Sequence, residues 1–358
     1  MVMIGEGRAT YQGETLDGAE ALKRAGLKPV VLSSKEGLIL LSGTTSVTAF
    51  ASLAIYDAQT LSLTADIAGS FTLEVLKGTL MAMDERLMAV RPHPDQINTA
   101  ANIRAILKDS PLLERYRGHR VQDALSIRCM PQLHGPVKKA IKDAQATLAI
   151  ELNSSVDNPL IFDEEDGGAV ALMGCNADGT YAGMASDNLC IAITDLCKMS
   201  NSRIDRLLNS LVSELPAFLN KNTDFNNGLM MIQYASAGLQ GKLRILAHPA
   251  VVDNLTTCAN QEDYVNMGYN AAKKAYDSMH LAKYILAAEL ICDGQALDCY
   301  EDKRCAKGTQ AIYDLLRSKV PEMDNDMPLT PYLEAVAQQI IDRAYIRTVE
   351  ASVGALKF

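Results

Sequence analysis

The sequence predicts an all-α fold, in which a bundle of long helices follows a small hairpin region at the N-terminus. Apolar and small residues recur with a helical period from Thr45 to about Leu80, which indicates one long and mostly buried helix. Strand signals are nearly absent after residue 40. Several further helical stretches are dense in Ala, Ser and Gly, which lets backbones approach closely. These features predict a multi-helix bundle that is expected to be oligomeric.

Turn signals divide the chain into a small hairpin and helix segment, residues 1–34, and a helical bundle domain, residues 35–358. Closely spaced glycines around a short polar stretch predict a hairpin near the start of the chain. Asp17, with Glu20 three positions later, predicts a capping box for a short helix, and Gly26 supplies the stop.

The helical period also places the other elements of the bundle. The predicted helices cover approximately residues 97–108, 131–152, 181–211, 227–245, 263–292, 305–319 and 332–356. Between them, polar loops are predicted at residues 162–168 and 220–224.

Composition and charge exclude several classes of protein. The 358 residues are 48% hydrophobic and 22% charged, which is typical of a globular chain with a sizeable core. The net charge of −9 disfavours binding to nucleic acids or to anionic membrane surfaces. No apolar segment reaches the length of a membrane span, and no signal-peptide pattern opens the chain, so a cytoplasmic location is expected. The eight cysteines lack zinc-site spacing, and no metal site is predicted.

The most distinctive window is residues 122–132, directly before a predicted long helix. Gln122 and Arg128 place a carboxamide and a guanidinium six residues apart. A buried guanidinium can grip a carboxylate through two parallel hydrogen bonds, and a Gln can complete the hydrogen bonding. From spacing alone, an ion pair between Arg128 and a structural Asp or Glu is favoured.

Two other polar windows have local structural interpretations. Residues 153–160 end a helix ahead of Pro159. Residues 257–268 set Glu262 and Asp263 at a predicted helix start, where the helix dipole stabilises anions. Without further information, helix capping explains this second window.

Taken together and in chain order, these windows resemble the aromatic amino acid lyase family, in its histidine ammonia-lyase type. The resemblance spans essentially the whole chain, and it implies a bundle of the histidine ammonia-lyase/fumarase-like type. Further colinear matches are Ile4-Gly5-Glu6-Gly7, Lys35-Glu36-Gly37-Leu38, Arg91-Pro92-His93-Pro94, Asp187-Asn188-Leu189, Leu215-Pro216-Ala217-Phe218-Leu219 and Leu246-Ala247-His248-Pro249.

The resemblance implies chemistry that depends on a protein-derived prosthetic group, 4-methylideneimidazole-5-one (MIO). In the family, MIO forms from an Ala-Ser-Gly triad in the N-terminal portion and activates the substrate amine, while a base removes the β-proton and ammonia leaves. No Ala-Ser-Gly occurs in this sequence, and the family's tyrosine base also belongs to the N-terminal portion. MIO and the base are therefore expected from outside these residues, either from a separate chain, which Met1 suits, or from the missing part of a longer chain.

Three residues match family residues that contact the substrate. Arg128 resembles the arginine that holds the substrate carboxylate, and Gln122 resembles the neighbouring glutamine of the pocket. Glu262 matches the glutamate that contacts the substrate amine or a polar imidazole side chain. The retained acid favours a polar or cationic substrate over a plain phenyl ring.

Three positions depart from the family pattern. Ser42 replaces an Asn, Leu125 replaces a pocket Tyr, and Ala177, next to Asn176, replaces a Phe. By analogy with oxyanion-hole deletions, each lost polar donor costs about 2 to 4 kcal/mol at a developing anion. The predicted substrate-binding set comprises Ser42, Leu125, Asn176, Ala177 and Arg128. The three replacements are expected to alter the choice of substrate.

Two functions of different classes follow from the resemblance. In the first, the chain is the large subunit of a split MIO-type ammonia-lyase or aminomutase that acts on a histidine-like or otherwise polar α-amino acid. A small partner chain then carries the Ala-Ser-Gly triad, and the subunits form a tetramer-like assembly. In the second, the chain is a non-catalytic homologue that scaffolds or regulates an intact lyase, because a fold does not imply a function.

Overall fold

The computed structural model describes residues 1–222 and 225–358, so that Thr223 and Asp224 of the predicted polar loop lie outside the described residues. The described chain is mainly helical, which confirms the predicted all-α bundle. Its α-helices are α1 (Gly18–Arg24), α2 (Glu36–Ile39), α3 (Thr45–Val75), α4 (Glu85–Ala89), α5 (Pro94–Ile106), α6 (Pro111–Arg115), α7 (Leu125–Arg128), α8 (Met130–Glu151), α9 (Thr180–Leu208), α10 (Ser210–Ser213), α11 (Met230–Leu246), α12 (Gly268–Asp298), α13 (Lys307–Arg317), α14 (Thr330–Ile341) and α15 (Ala344–Val353).

Two antiparallel hairpins accompany the helices. The predicted N-terminal hairpin forms from β1 (Arg8–Tyr11) and β2 (Glu14–Asp17), with Arg8 opposite Asp17. The second hairpin, β3 (Leu160–Asp163) and β4 (Ala169–Leu172), was not predicted. Residues 162–168, predicted as a loop, contain the turn of this hairpin.

The predicted capping box of α1 is wrong. Asp17 occupies the N-cap position, but its side chain makes no capping hydrogen bond. Glu20 instead accepts a hydrogen bond from Arg24 Nε at 2.9 Å, one helical turn further along. The predicted stop is confirmed, because Gly26 adopts a left-handed φ of 73° directly after the helix.

The last predicted helix is two helices in the structure. Residues 332–356 were predicted as one element, whereas α14 and α15 are separated at Asp342 and Arg343. Arg343 has a φ of 58°, which interrupts the helical backbone even though the apolar period continues across the break.

The chain divides into two compact units. Unit 1 comprises residues 1–45 and 155–178 and contains both hairpins with α1 and α2. Unit 2 comprises residues 46–154 and 179–358 and contains the long helices. The predicted division after residue 34 remains a prediction.

The centre of unit 2 is formed by two helices, α3 and α12, whose C-terminal halves are buried on all sides. Every residue of α3 from Thr60 to Val75 is buried, as is every residue of α12 from Ile285 to Asp298. A helix without a solvent face belongs at the centre of a bundle. Helix α9 packs against α8 and α12, and α11 packs against α9 and α12. Within the described ranges, none of the helices is both long and apolar enough to cross a membrane.

Candidate active site

Residues 122–130, called here the 122–130 segment, carry the predicted carboxylate-binding pair. The segment is fixed to unit 2 near both of its ends. Asp123 is 4% exposed, and its Oδ2 accepts a hydrogen bond from the backbone N–H of Thr79 at 2.8 Å. Met130 is fully buried in the core. Helix α7 therefore presents Arg128 from a turn whose flanking residues are held in place.

The guanidinium of Arg128 does not form the structural ion pair that its spacing favours. Among the described residues, its buried Nε has no hydrogen-bond partner. Burial raises the pKa of the Asp123 carboxyl, while the Thr79 hydrogen bond and the charges of nearby arginines, Arg128 among them, oppose that shift. A buried N–H without a partner is costly, so this arrangement suits an anion that comes from outside unit 2.

The other two predicted residues of the segment lie at the surface. Gln122 is exposed, and Leu125 is 61% exposed in the first position of α7. More than half of this leucine's surface is thus left uncovered by the chain. It is therefore free to contact a ligand or another chain.

Glu262 does not lie in the first turn of a helix, so the dipole argument for this window is wrong. Helix α12 begins at Gly268, six positions after Glu262, and the effect of the dipole fades within one turn. The loop is closed by a backbone hydrogen bond from Thr257 N–H to the carbonyl of Glu262 at 2.8 Å. The side chain of Glu262 is exposed.

Asparagine side chains explain the later helix start. Asn254 accepts a hydrogen bond from Val265 N–H at 2.9 Å and donates to the carbonyl of Asp263 at 3.0 Å. Asn266 accepts from Gly268 N–H at 3.0 Å. Because these side chains satisfy backbone groups locally, the chain before Gly268 is held in a loop conformation.

The remaining predicted residues belong to unit 1. Ser42 is partly buried, and its backbone N–H donates to the carbonyl of Leu38 at 2.7 Å. Asn176 is exposed and donates to the carbonyl of Ser155 at 3.4 Å, while Ala177 beside it is partly buried. Asn176 also lines a cavity of about 190 Å³ next to the β3–β4 hairpin.

The structure thus groups some of the predicted residues and leaves others apart. Gln122, Leu125 and Arg128 share the 122–130 segment, and Asn176 and Ala177 share one turn. Glu262 lies on the loop before α12, and no hydrogen bond or ion pair joins it to Arg128 among the described residues. Each predicted role remains a prediction.

Sequence reasoning missed a fully buried polar cluster in unit 2. Arg203 on α9 forms an ion pair with Glu289 on α12, and both side chains are 0% exposed. Asp293, one turn further along α12, is also fully buried, and burial and the charge of Glu289 raise its pKa well above the ordinary value. The sequence does contain a sign of this cluster, because Glu289 stands within an otherwise apolar stretch of a long helix, where a charged side chain needs a buried partner.

A second buried cluster surrounds Asp66 on α3. Its carboxylate lies 2.8 Å from His134 Nδ1 and accepts hydrogen bonds from Lys138 at 2.5 Å and Asn102 at 2.8 Å. His134 is therefore a buried histidine whose Nδ1 is paired with Asp66, while its Nε2 has no hydrogen-bond partner among the described residues. The described residues contain no group of His, Cys, Asp or Glu side chains arranged to bind a metal.

Known proteins with sequences similar to this chain include ammonia-lyases. A sequence model of the family described as aromatic amino acid lyase matches residues 1–318. The histidine ammonia-lyase of Alkaliphilus oremlandii is 41% identical over 353 residues, which are 99% of this chain and 69% of that protein.

Solved structures with a similar fold include lyases and aminomutases. The crystal structure of histidine ammonia-lyase from Trypanosoma cruzi superposes with a TM-score of 0.90 at 33% identity, over 98% of this chain and 67% of that one. The tyrosine aminomutase from Streptomyces globisporus superposes with a TM-score of 0.91 at 29% identity, over 99% of this chain and 71% of that one.

Proposed function

The chain belongs to the aromatic amino acid lyase family, and from this premise we propose that it supplies the substrate contacts of a carbon–nitrogen lyase or aminomutase acting on an α-amino acid. The observation that carries the proposal is Arg128, whose buried Nε has no partner among the described residues. A substrate carboxylate would complete its hydrogen bonding and neutralise its charge.

The proposed division of roles follows the chemistry of the side chains. Arg128 binds the carboxylate, and Gln122 donates a further hydrogen bond to it. Glu262, exposed on the loop before α12, binds the substrate amine or a polar side chain. An acid in this role favours a cationic or polar substrate, such as an imidazole-bearing amino acid, because an anion binds a cation better than an uncharged ring.

MIO, when present, supplies the electrophile that activates the amine for departure. The residues described here fit a site beside such a group, because Arg128 offers an unpartnered donor that can orient an amino acid by its carboxylate. The Ala-Ser-Gly triad is absent from the 358 residues, so MIO has to be encoded outside them. We propose that a small partner chain carries the triad and the tyrosine base, and that the chains join in a tetramer-like assembly.

Three positions are proposed to alter the choice of substrate. Ser42, Leu125 and Ala177 each have a smaller or less polar side chain than the family residue they replace. Smaller side chains leave more room, and the loss of a phenol removes a hydrogen-bond donor. Full activity with histidine at the rate usual for the family would contradict this part of the proposal.

The first test is co-purification from the native host or with the product of the adjacent gene. A small chain whose intact mass is lower by two water molecules, as cyclisation of the triad requires, together with ultraviolet absorbance of the group, supports the split enzyme. A homogeneous chain without such a partner contradicts it.

A second test measures the role of Arg128 in the assembled protein. Formation of an α,β-unsaturated acid is followed by ultraviolet absorbance with the native chain, with Arg128→Lys and with Arg117→Lys as the matched control. Arg117 is a surface residue whose ion pair, within the part of the chain that the structure describes, is with Glu114. Loss of turnover in Arg128→Lys alone supports the proposal, and equal activity of all three proteins contradicts it.

The alternative function is a non-catalytic homologue that scaffolds or regulates an intact lyase. The observation that favours it is the replacement of three pocket positions, with Leu125 exposed at one of them. Association of this chain with a full-length lyase, with no turnover of its own, would support this alternative.

A further inference from the structure

Arg203 connects the core of unit 2 with the turn that carries Arg128. It is fully buried on α9, and its Nε and Nη2 donate to the two carboxylate oxygens of Glu289, the second at 3.0 Å. Its remaining nitrogen, Nη1, donates to the backbone carbonyl of Ser126 at 3.3 Å. Ser126 lies within α7, two positions before Arg128.

The carboxylate of Glu289 is itself fixed by donors from two neighbouring helices, α3 and α9. Thr72 on α3 donates to Oε1 at 3.0 Å, and Ser200 on α9 donates to Oε2. With Arg203 bound through two parallel hydrogen bonds, these donors determine the orientation of the carboxylate in its plane. The plane of the Arg203 guanidinium, and hence the direction of Nη1, is therefore also determined.

A glycine makes room for this arrangement. A Cβ on Gly69 of α3 would collide with the sulfur of Met130 and would lie 3.5 Å from Arg203 Cζ. Met130 is the first residue of α8, two positions after the end of α7, and is fully buried. The absent side chain at residue 69 thus leaves room for Met130 beside the Arg203 guanidinium.

We propose that Arg203 is a positioning residue for Arg128, which it places by holding the carbonyl of Ser126 against the core. This inference rests on the proposed function, since it assumes that Arg128 binds the substrate carboxylate. The Glu289–Arg203 ion pair thereby orients a turn that ends at the substrate, in addition to joining α9 to α12. A misplaced guanidinium would lose one of its two parallel hydrogen bonds to the carboxylate.

The test compares Arg203→Lys with Arg317→Lys in the chain assembled with its MIO-bearing partner. Lysine keeps the charge opposite Glu289, but its single nitrogen cannot occupy the separate positions of Nε, Nη1 and Nη2, so a lysine bound to Glu289 is expected to lose the contact with Ser126. Arg317 is a matched control, because it pairs with the buried Asp298 and donates through Nη1 to a backbone carbonyl at 3.0 Å, away from the 122–130 segment.

Two readouts are needed: amide hydrogen exchange of the 122–130 segment, and kcat and KM with L-histidine as the probe. The loss of one hydrogen bond is expected to speed exchange about fivefold in Arg203→Lys and not in Arg317→Lys. In Arg203→Lys, KM is expected to rise about fivefold with a smaller change in kcat. Should Arg203→Lys not fold, Arg203→Gln with Glu289→Gln replaces it, because that double variant leaves no unpaired buried charge.

The outcomes separate this inference from the proposed function. Equal exchange of the 122–130 segment in the Arg203 and Arg317 variants overturns the inference, as does faster exchange with an unchanged KM when Arg128→Lys raises KM. An unchanged KM in Arg128→Lys instead overturns the proposed function. In that case the exchange result still decides whether Arg203 holds α7.

Discussion

Two arginines of unit 2 differ in a way that sequence alone does not reveal. Arg203 is fully buried and paired with Glu289, whereas the buried Nε of Arg128 has no partner among the described residues. A side chain that contributes little to the stability of its own fold can be replaced without lowering the free energy of unfolding. The two residues therefore have separable effects on stability and on activity.

For Arg128→Gln, we expect the free energy of unfolding of the chain to stay the same or to rise, because the substitution removes a buried N–H that has no partner among the described residues. The kcat/KM of the assembled protein should fall about 10- to 100-fold, since hydrogen bonds to charged groups contribute about 1.5 to 3 kcal/mol. Urea unfolding and steady-state kinetics measure the two effects. Arg203→Gln is the comparison, and it should destabilise the fold by about 3 to 5 kcal/mol because Glu289 is left unpaired. Equal destabilisation by both substitutions would contradict this account.

The carboxyl of Asp293 makes the stability of unit 2 depend on pH. Burial raises its pKa well above the ordinary value, the charge of Glu289 raises it further, and a hydrogen bond from Thr72 opposes the shift. The folded protein therefore keeps a proton that the unfolded chain releases above its pKa of about 3.9. Since the folded state binds more protons, this contribution to stability is complete below that pKa and is lost as the pH rises toward the folded pKa.

Asp293→Asn should remove this dependence, because an amide resembles the protonated acid and does not titrate. Between about pH 4 and the folded pKa, the native chain should lose about 1.4 kcal/mol of its free energy of unfolding, relative to the variant, for each pH unit. Urea unfolding at about pH 5 and about pH 7 measures the difference. Asp302→Asn is the control, because the hydrogen bonds from Arg304 lower the pKa of Asp302 below this range. Parallel stability profiles for Asp293→Asn and the native chain would exclude a raised pKa.

At the scale of elements, the contact between α8 and α5 depends on a glycine. A Cβ on Gly135 of α8 would lie 2.7 Å from the backbone nitrogen of Gln96 and 2.9 Å from its Cα. Both atoms belong to the backbone of α5, so the clash cannot be relieved by turning a side chain. One of the two helices would have to move.

Gly135→Ala should therefore lower the free energy of unfolding by about 1 to 3 kcal/mol, as overpacking does. A decrease in stability would be informative, because replacing glycine by alanine in a helix interior otherwise raises the free energy of unfolding by about 1 kcal/mol. Lys139→Ala, at an exposed position of the same helix, is the control and should change stability by less than about 0.5 kcal/mol. Chemical unfolding of the three proteins provides the measurement, and an increase in stability for Gly135→Ala would show that α8 and α5 are less closely packed.

The accuracy of the predicted elements depended on how local their determinants are. Helices α3 and α8 are long and periodic, and their predicted starts agree with the structure within one residue. The start of α12 was placed too early, because Asn254 and Asn266 hold the preceding backbone in a loop. The break at Arg343 depends on a backbone conformation that leaves no mark on the apolar period.

At the scale of the whole molecule, the predicted site residues came from the family resemblance and the supporting cluster came only from the structure. Arg203 and Glu289 are 86 positions apart and meet because α9 packs against α12. No local sequence pattern indicates that two residues so far apart in the chain form a pair. Catalytic windows are recognisable as short motifs, whereas the groups that orient them are brought together by the fold.

Helix α11 has an exposed stripe that suits self-association. Tyr234 is 69% exposed and Ile245 is 71% exposed, and they lie on one face with Gly238 and Gly241 between them. A Cβ on either glycine would have no neighbour within 4 Å in this chain. Exposed apolar residues mark interaction surfaces, and glycines allow a second helix to approach closely.

The tetramer-like assembly proposed above predicts that this stripe is buried between copies of the chain. Tyr234→Asp with Ile245→Asp should reduce the solution mass from that of the oligomer to that of a single chain, because two carboxylates would have to be desolvated in the interface. Light scattering coupled to size-exclusion chromatography gives the mass. Leu87→Asp is the control, since Leu87 is 52% exposed on α4, outside the stripe, and should leave the mass unchanged. If the double variant keeps the oligomeric mass, another surface joins the chains. If the native chain is already monomeric, the 358 residues do not self-associate without a further chain or segment.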